Sequence, residues 1–140
     1  GPKTCILNIQ FINKGVSMSI DVIVPEASKK TYESWHFAPA VRHGDLVFFS
    51  GAVGSGEETE DEFRNAWESL RDVLAEAGVG YEDIIDSTLY IVDLQKNAAT
   101  MAKVKDEFIK APYPASTWIG ITELVIPGAR AEIKVTARIP

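Results

Sequence analysis

The chain has 140 residues, 46% apolar and 24% charged, the size and composition of one globular domain with a core of its own. Its 14 basic against 20 acidic residues, a net charge of −6, disfavour a nucleic-acid partner, because affinity for phosphates rests on basic patches and the bases here are dispersed. A single cysteine, Cys5, excludes an intrachain disulfide and points to a reducing, cytoplasmic compartment, and no apolar run approaches the ~20 residues of a membrane span.

Gly1-Pro2 reads as the remnant of a cleaved tag and Met18 as a natural start. Residues 1–18 are therefore taken as an N-terminal extension and 19–140 as a single domain. Thr4 to Ile12 alternate loosely and fit either an added edge strand or a tail. Ile20 to Val24, ended by Pro25, predicts a short strand, and Pro25 to Ser34 a loop. His43-Gly44-Asp45 forms a tight turn into Leu46 to Ser50, so Phe37 to Ser50 has hairpin character. The run Leu46-Val47-Phe48-Phe49-Ser50 shows no solvent alternation, which predicts burial on both faces, against helices on one and further protein on the other. Glycines 51, 54 and 56 then give either a plain connection or a backbone able to approach a ligand closely.

Thr59 to Ala77 carries the clearest helical pattern. Thr59 and Glu62 fit a capping box, Phe63, Ala66, Trp67, Leu70, Val73 and Leu74 form one apolar stripe, and Gly78 ends it. Ile84 to Val92 predicts a strand. A second helix, capped by Asp93 or Asn97, runs to about Ile109 before Pro112 and Pro114. Trp118 to Leu124 is the next strand, and Ala131 to Ile139 alternates almost perfectly. The order predicts an α/β (α+β) fold, a single mixed β-sheet with two helices packed on one face. The other sheet face, mixed in polarity, is matched to subunit packing, with pockets between subunits.

No phosphate loop, zinc-protease motif or dinucleotide fingerprint is present. Metal binding lacks ligands, since His36 and His43 are the only histidines and Cys5 is remote; no metal and no cofactor is expected. Glu132, inside an apolar alternation, either orients a water or sits on a solvent face beside Lys134. Ser50 either contacts a ligand or satisfies local backbone. Trp35 and Trp118 each flank a strand start, as interface or pocket wall.

Several separated stretches occur in family order: Gly44-Asp45-Leu46-Val47-Phe48-Phe49-Ser50-Gly51, Asp83-Ile84-Ile85-Asp86-Ser87-Thr88-Leu89-Tyr90, Tyr113-Pro114-Ala115, and Glu132-Ile133-Lys134-Val135-Thr136-Ala137. Together they resemble the YjgF/YER057c/UK114 (RidA, "endoribonuclease L-PSP") family, most closely a divergent YjgH-like subgroup. The resemblance implies a chorismate-mutase-like fold, a homotrimer and small-molecule pockets between subunits. It also implies hydrolysis of reactive imines or enamines, with Glu132 as catalytic residue positioning water and Ser50 and Gly51 binding substrate. In the deaminase branch an arginine of a Pro-Ala-Arg motif clamps the substrate carboxylate, which calls for a two-donor fork. Here Ser116 stands in that place, Phe37 stands where a tyrosine is usual, and Ala52 where glutamine is common. Arg42, Arg130, Arg138 or His36 are the candidate replacement cations. The readings that follow are a deaminase with a changed substrate, or a non-catalytic metabolite-binding trimer with a pocket lined by Phe37, Trp35 and Trp118. An endoribonuclease is a distant third, because two loop histidines and a negative charge supply poor acid, base and phosphate-clamping groups.

Overall fold

The computed structural model describes residues 4–13 and 16–140, with side chains from Ser19 onward; the expectation for Gly1-Pro2 lies outside the described residues. The strands are β1 (Thr4–Asn13), β2 (Val16–Pro25), β3 (Ala40–His43), β4 (Leu46–Phe49), β5 (Ala52–Val53), β6 (Ile84–Val92), β7 (Ala115–Ile121) and β8 (Ala131–Arg138). The helices are α1 (Lys29–Trp35), α2 (Thr59–Glu76) and α3 (Leu94–Lys105). One eight-stranded sheet runs β1-β2-β3-β4-β8-β6-β7, with β5 paired to β8. It is mixed, because β6 and β7 are parallel across the α3 crossover while the other pairs are antiparallel.

The near-perfect alternation of β8 translates directly into burial. Ala131, Ile133, Val135 and Ala137 face the helices and are almost fully buried, whereas Glu132, Lys134, Thr136 and Arg138 face the other way. Against that inner face lie Phe63, Ala66, Trp67, Leu70 and Leu74 of α2 and Met101 and Val104 of α3. Trp67 stacks on Phe108 with ring centroids 6.1 Å apart, and its backbone carbonyl accepts a 2.6 Å hydrogen bond from the Tyr81 hydroxyl. Helix α2 ends as its sequence predicts. Gly78 takes φ of 78°, and Gly78 and Val79 donate back to Ala75 and Leu74, closing the last carbonyls.

Several local expectations are corrected. Pro25 to Ser34, expected as loop, instead holds a 3-10 turn (Glu26–Ser28) and all but the last residue of α1, so a third, short helix joins the expected two. Glu58, not Thr59, precedes α2, and no side-chain cap bond forms, because the Glu62 carboxylate is drawn elsewhere. Helix α3 ends at Lys105, four residues early, and is replaced by turns to Ile109. Asp93 at its start is left-handed, with φ of 51°, and gives no side-chain cap; Asn97 instead donates to the Val92 carbonyl at 2.7 Å. Strand β7 begins at Ala115, three residues before Trp118, since its parallel partner β6 offers ladder positions from Asp86 onward. Finally, β4 is not buried on both faces. Val47 and Phe49 are buried, but Leu46 and Phe48 are 37% and 45% exposed, which leaves this side of the sheet apolar and uncovered in the single chain.

Helices α2 and α3 are also cross-linked by charge. Arg64 makes a two-pronged bond to Glu107 at 2.8 and 2.7 Å, and Lys103 bonds Glu60 at 2.7 Å. The Lys103 ammonium holds Glu60 below the ordinary glutamate value of 4.5, and the Arg64 guanidinium does the same for Glu107. A lowered carboxylate contributes stability that is present above the unfolded value and lost as pH falls through the folded one. Arg64→Ala is thus expected to melt below the wild type at pH 7, with the gap shrinking as pH drops below about 4.5 or as salt is raised. Thermal melts at pH 7 and pH 3, each with and without added salt, check this; a gap unchanged by pH would contradict it.

Candidate functional site

Strand β4 last pairs with β8 at Phe48, opposite Thr136, and β5 rejoins β8 at Ala52 and Val53, opposite Ile133 and Glu132. Ser50 and Gly51 span the break. Ser50 is fastened there, its amide donating to the Pro39 carbonyl at 2.9 Å and its hydroxyl to the Ala38 carbonyl at 2.5 Å. Local backbone thus holds the Ser50 hydroxyl, and its own oxygen remains able to accept. The Glu132 side chain lies directly over Gly51. A Cβ at position 51 would come within 2.5 Å of Glu132 Oε1 and 2.7 Å of Cγ, so only glycine leaves the carboxylate its place. Glu132 is half-buried on the sheet face away from the helices, and no donor among the described residues bonds it. This is the arrangement of a carboxylate available to a water or a polar hydrogen beside a bare backbone.

On the helix side of the same break is a cleft of about 240 Å³, lined in part by Phe37, Phe49, Ser50, Gly51, Leu70 and Val73. Phe37 is 46% exposed at its rim. Trp35 and His36 sit next to it at the end of α1, both exposed, with His36 in a left-handed conformation of φ 58°. The structure gathers Phe37, Ser50 and Gly51 at the cleft on the helix side, with Glu132 on the opposite side of the Gly51 backbone and outside the cleft lining.

Ser116 and Trp118 are elsewhere. Ser116 is level with Ser87 and Val135, and Glu132 with Tyr90 and Ile119. The two residues are thus two strands apart, three positions out of register and on opposite sheet faces, a separation of more than about 10 Å. Trp118 donates its indole N–H to Ser116 Oγ at 2.9 Å and packs on the core edge. A site using both Glu132 and Ser116 must take them from two chains.

The four candidate cations differ. Arg130 is engaged elsewhere: its backbone N–H and Nε donate to Glu62 at 2.6 and 2.7 Å, and Nη2 donates to the carbonyls of Gly56 and Glu57. Arg138 faces Asp83 at 3.6 Å. Arg42 donates to the Gly44 carbonyl at 3.0 Å. His36 is left in solvent at the cleft rim. Within one chain, no arginine among the described residues points a free fork at Glu132.

Sequence reasoning missed Glu62, the carboxylate of the buried pair, and the cleft residues contributed by α1 and α2. Glu62 had a signal: it precedes Ala66, Leu70 and Leu74 by steps of four, on a row that is otherwise all core. Among the described residues no group of three His, Cys, Asp or Glu is placed to hold a metal ion, and no helix is long and apolar enough to cross a membrane.

A mixed sheet backed by two long helices, with a glutamate over a Ser-Gly strand exit, defines an α/β fold whose outer sheet face is uncovered in the single chain. Residues 28–139 match the family model described as endoribonuclease L-PSP, and the chain belongs to that family. It is 38% identical over 125 residues to the RutC family protein YjgH of Escherichia coli, covering 84% of this chain and 94% of that one. It is 27% identical over 106 residues to a 2-iminobutanoate/2-iminopropanoate deaminase of Dermatophagoides farinae, covering 70% and 81%. Among solved structures it resembles protein YJGH, with a TM-score of 0.76 at 36% identity over 85% of this chain and 95% of the other. The fold is shared with Rv2704 of Mycobacterium tuberculosis, a member of the YjgF/YER057c/UK114 family, with a TM-score of 0.75 at 24% identity over 81% and 95%.

Proposed function

We propose that the protein hydrolyses the C=N bond of small imines or their enamine tautomers, in a site completed by a second copy of the chain within a cytoplasmic homotrimer. The observation that carries this reading is the Glu132 carboxylate held over Gly51 with no donor among the described residues spent on it. A water bound by that carboxylate is oriented toward an imine carbon resting on the Ser50-Gly51 backbone. Its oxygen bonds to the carbon as the C=N π pair moves to nitrogen and Glu132 takes a proton, which passes to nitrogen to give a carbinolamine; the carbinolamine hydroxyl proton then passes by way of Glu132 to nitrogen as the C–N bond breaks, releasing ammonia and leaving the carbonyl product. The distantly related protein named for 2-iminobutanoate and 2-iminopropanoate supports this chemistry.

Ser116 argues that substrate choice has changed. A hydroxyl cannot neutralise a carboxylate, so 2-imino acids lose the fork that would hold them. This same feature favours a second reading, a non-catalytic metabolite-binding homotrimer with Phe37, Trp35 and Trp118 as pocket wall. The test generates 2-aminoacrylate in situ with a serine dehydratase and follows pyruvate. Wild type is expected to be slow, and Ser116→Arg faster by roughly 10-fold or more, the worth of a charge-assisted hydrogen bond. No gain in Ser116→Arg, with wild type no better than Glu132→Gln on this substrate and on a carboxylate-free imine, leaves the binding reading. A monomer by light scattering removes the shared site.

A further inference from the structure

Outer-facing residues of β8 recur at every second position, so Glu132 and Lys134 stand on one face with their Cβ atoms about 7 Å apart. Lys134 is exposed and makes no ion pair or side-chain hydrogen bond among the described residues. On the β6 side it is level with Thr88. On its other side the ladder is interrupted. Continuing the Phe48–Thr136 register brings Ser50 level with Lys134, but pairing stops short of it and resumes only at Ala52 and Val53. The Gly51 backbone floors this gap, and the Glu132 side chain lies over it. A carboxylate and an ammonium thus border one opening in a single chain, on the sheet face where Glu132 itself lies.

Other charges on this side do not take that place. Arg138, the next outer cation along β8, faces Asp83 at 3.6 Å, and Arg130 is tied to Glu62. Asp86 of β6, level with Thr136, forms no ion pair with Lys134. Taking the hydrolytic reading of Glu132 as its basis, we infer that Lys134 binds the substrate's anionic group, and that the substrate is an imine with an acid group two or three carbons beyond the C=N carbon. Glu132 fixes where water attacks, and Lys134 receives charge one outward position further along the strand. That step of about 7 Å is the span of a short dicarboxylate and too long for an acid group on the reacting carbon itself. An ammonium on a flexible stem holds a carboxylate as a point charge and needs no two-donor fork. Without it, the Glu132 carboxylate bordering the opening would repel an acid substrate.

2-Iminoglutarate, made in situ from L-glutamate with L-glutamate oxidase, carries the distal acid group. Its neutral counterpart of matching length is 2-imino-4-methylsulfanylbutanoate, made from L-methionine with an L-amino-acid oxidase. Both carry the 2-carboxylate, so only the far end differs. Hydrolysis is followed as the fall in semicarbazone formed with added semicarbazide. Wild type is expected to favour 2-iminoglutarate by about tenfold in kcat/KM, the worth of one charge-assisted hydrogen bond. Lys134→Gln is expected to erase the preference through KM, Lys134→Arg to keep it and Lys134→Glu to invert it. All three are expected to melt with the wild type, because the side chain is exposed. Calorimetric binding of the products, 2-oxoglutarate and 2-oxo-4-methylsulfanylbutanoate, gives a readout that needs no turnover. No preference in wild type by either readout, or a preference untouched by Lys134→Gln and Lys134→Glu, overturns the inference. Turnover that needs Glu132 and ignores Lys134 defeats the anion site alone. Tighter binding of 2-oxoglutarate that is lost in Lys134→Gln, with wild type hydrolysing neither imine faster than Glu132→Gln, defeats hydrolysis and leaves Lys134 as a binding residue.

Discussion

Glu62→Ala is expected to lower the unfolding free energy by about 3 kcal/mol and the melting temperature by roughly 10 °C. Glu62 is 4% exposed, yet it carries a full carboxylate at the start of α2. Both of its oxygens are used, one by the backbone N–H of Arg130 and one by Nε. Removing it strands two donors, and breaking a buried pair costs about 3–5 kcal/mol because the remaining charge is left desolvated. The lower end applies, since the Arg130 side chain is about a third exposed and water recovers part of its solvation. The terminal nitrogen keeps its carbonyl partners at Gly56 and Glu57, which also softens the loss. Glu62→Gln retains one acceptor for the guanidinium and is expected to fall between the two. Urea denaturation of the three proteins measures the series. A loss under about 0.5 kcal/mol for Glu62→Ala, the size of an ordinary surface change, would show that the pair contributes little. Its position matters for function as well, because the clamp ties the 56–57 loop and α2 to the first residue before β8, two positions before Glu132.

The parts of the fold visible in the sequence are those whose pattern has one dominant cause. Strand β8 reads correctly because one face is core and the other is not, so period two is written into every residue. Helix α2 reads correctly for the same reason at period 3.6, and its end reads correctly because Gly78 answers a backbone need rather than a packing one. Misreadings fall where a tertiary partner overrides a local rule. Thr59 and Glu62 match a capping box, but a carboxylate offered a guanidinium and an amide 68 residues away goes there instead. Strand β4 looks buried on both sides because its outer face is apolar; the single chain leaves that face open, and Leu46 and Phe48 are the residues a partner would cover. For the site, the strand pattern pointed to Ser50, Gly51 and Glu132 separately, and only the family resemblance joined them, since nothing in spacing brings position 51 to position 132. That contact comes from the strand break, where β5 returns to β8. The α1 side of the cleft was missed because Lys29 to Trp35 carries no apolar stripe; none of its residues is buried.

Glu132→Gln is expected to slow imine hydrolysis by about 10²–10⁴-fold, the range for loss of a positioned general base, while leaving the melting temperature nearly unchanged. The two effects separate because of how Glu132 is held. Its side chain lies half-buried on the outer face over Gly51 and makes no ion pair among the described residues, so no partner is left stranded when its charge is removed. Glutamine has the same shape, so the packing against Gly51 is preserved and only proton acceptance is lost. A water held by an amide is still positioned but is not deprotonated as it attacks. The residual rate therefore measures positioning, and the difference measures the base. Ser50 gives the contrast: its hydroxyl is bonded to the Ala38 carbonyl, so Ser50→Ala costs stability through an unpaired carbonyl more than it costs chemistry. Rates on an imine generated in situ, set beside melts of the same preparations, decide the matter. Equal rates for wild type and Glu132→Gln would remove the carboxylate from the chemistry, and with it the hydrolytic reading. A large rate loss accompanied by an equally large fall in melting temperature would instead make Glu132 a structural residue of the strand break.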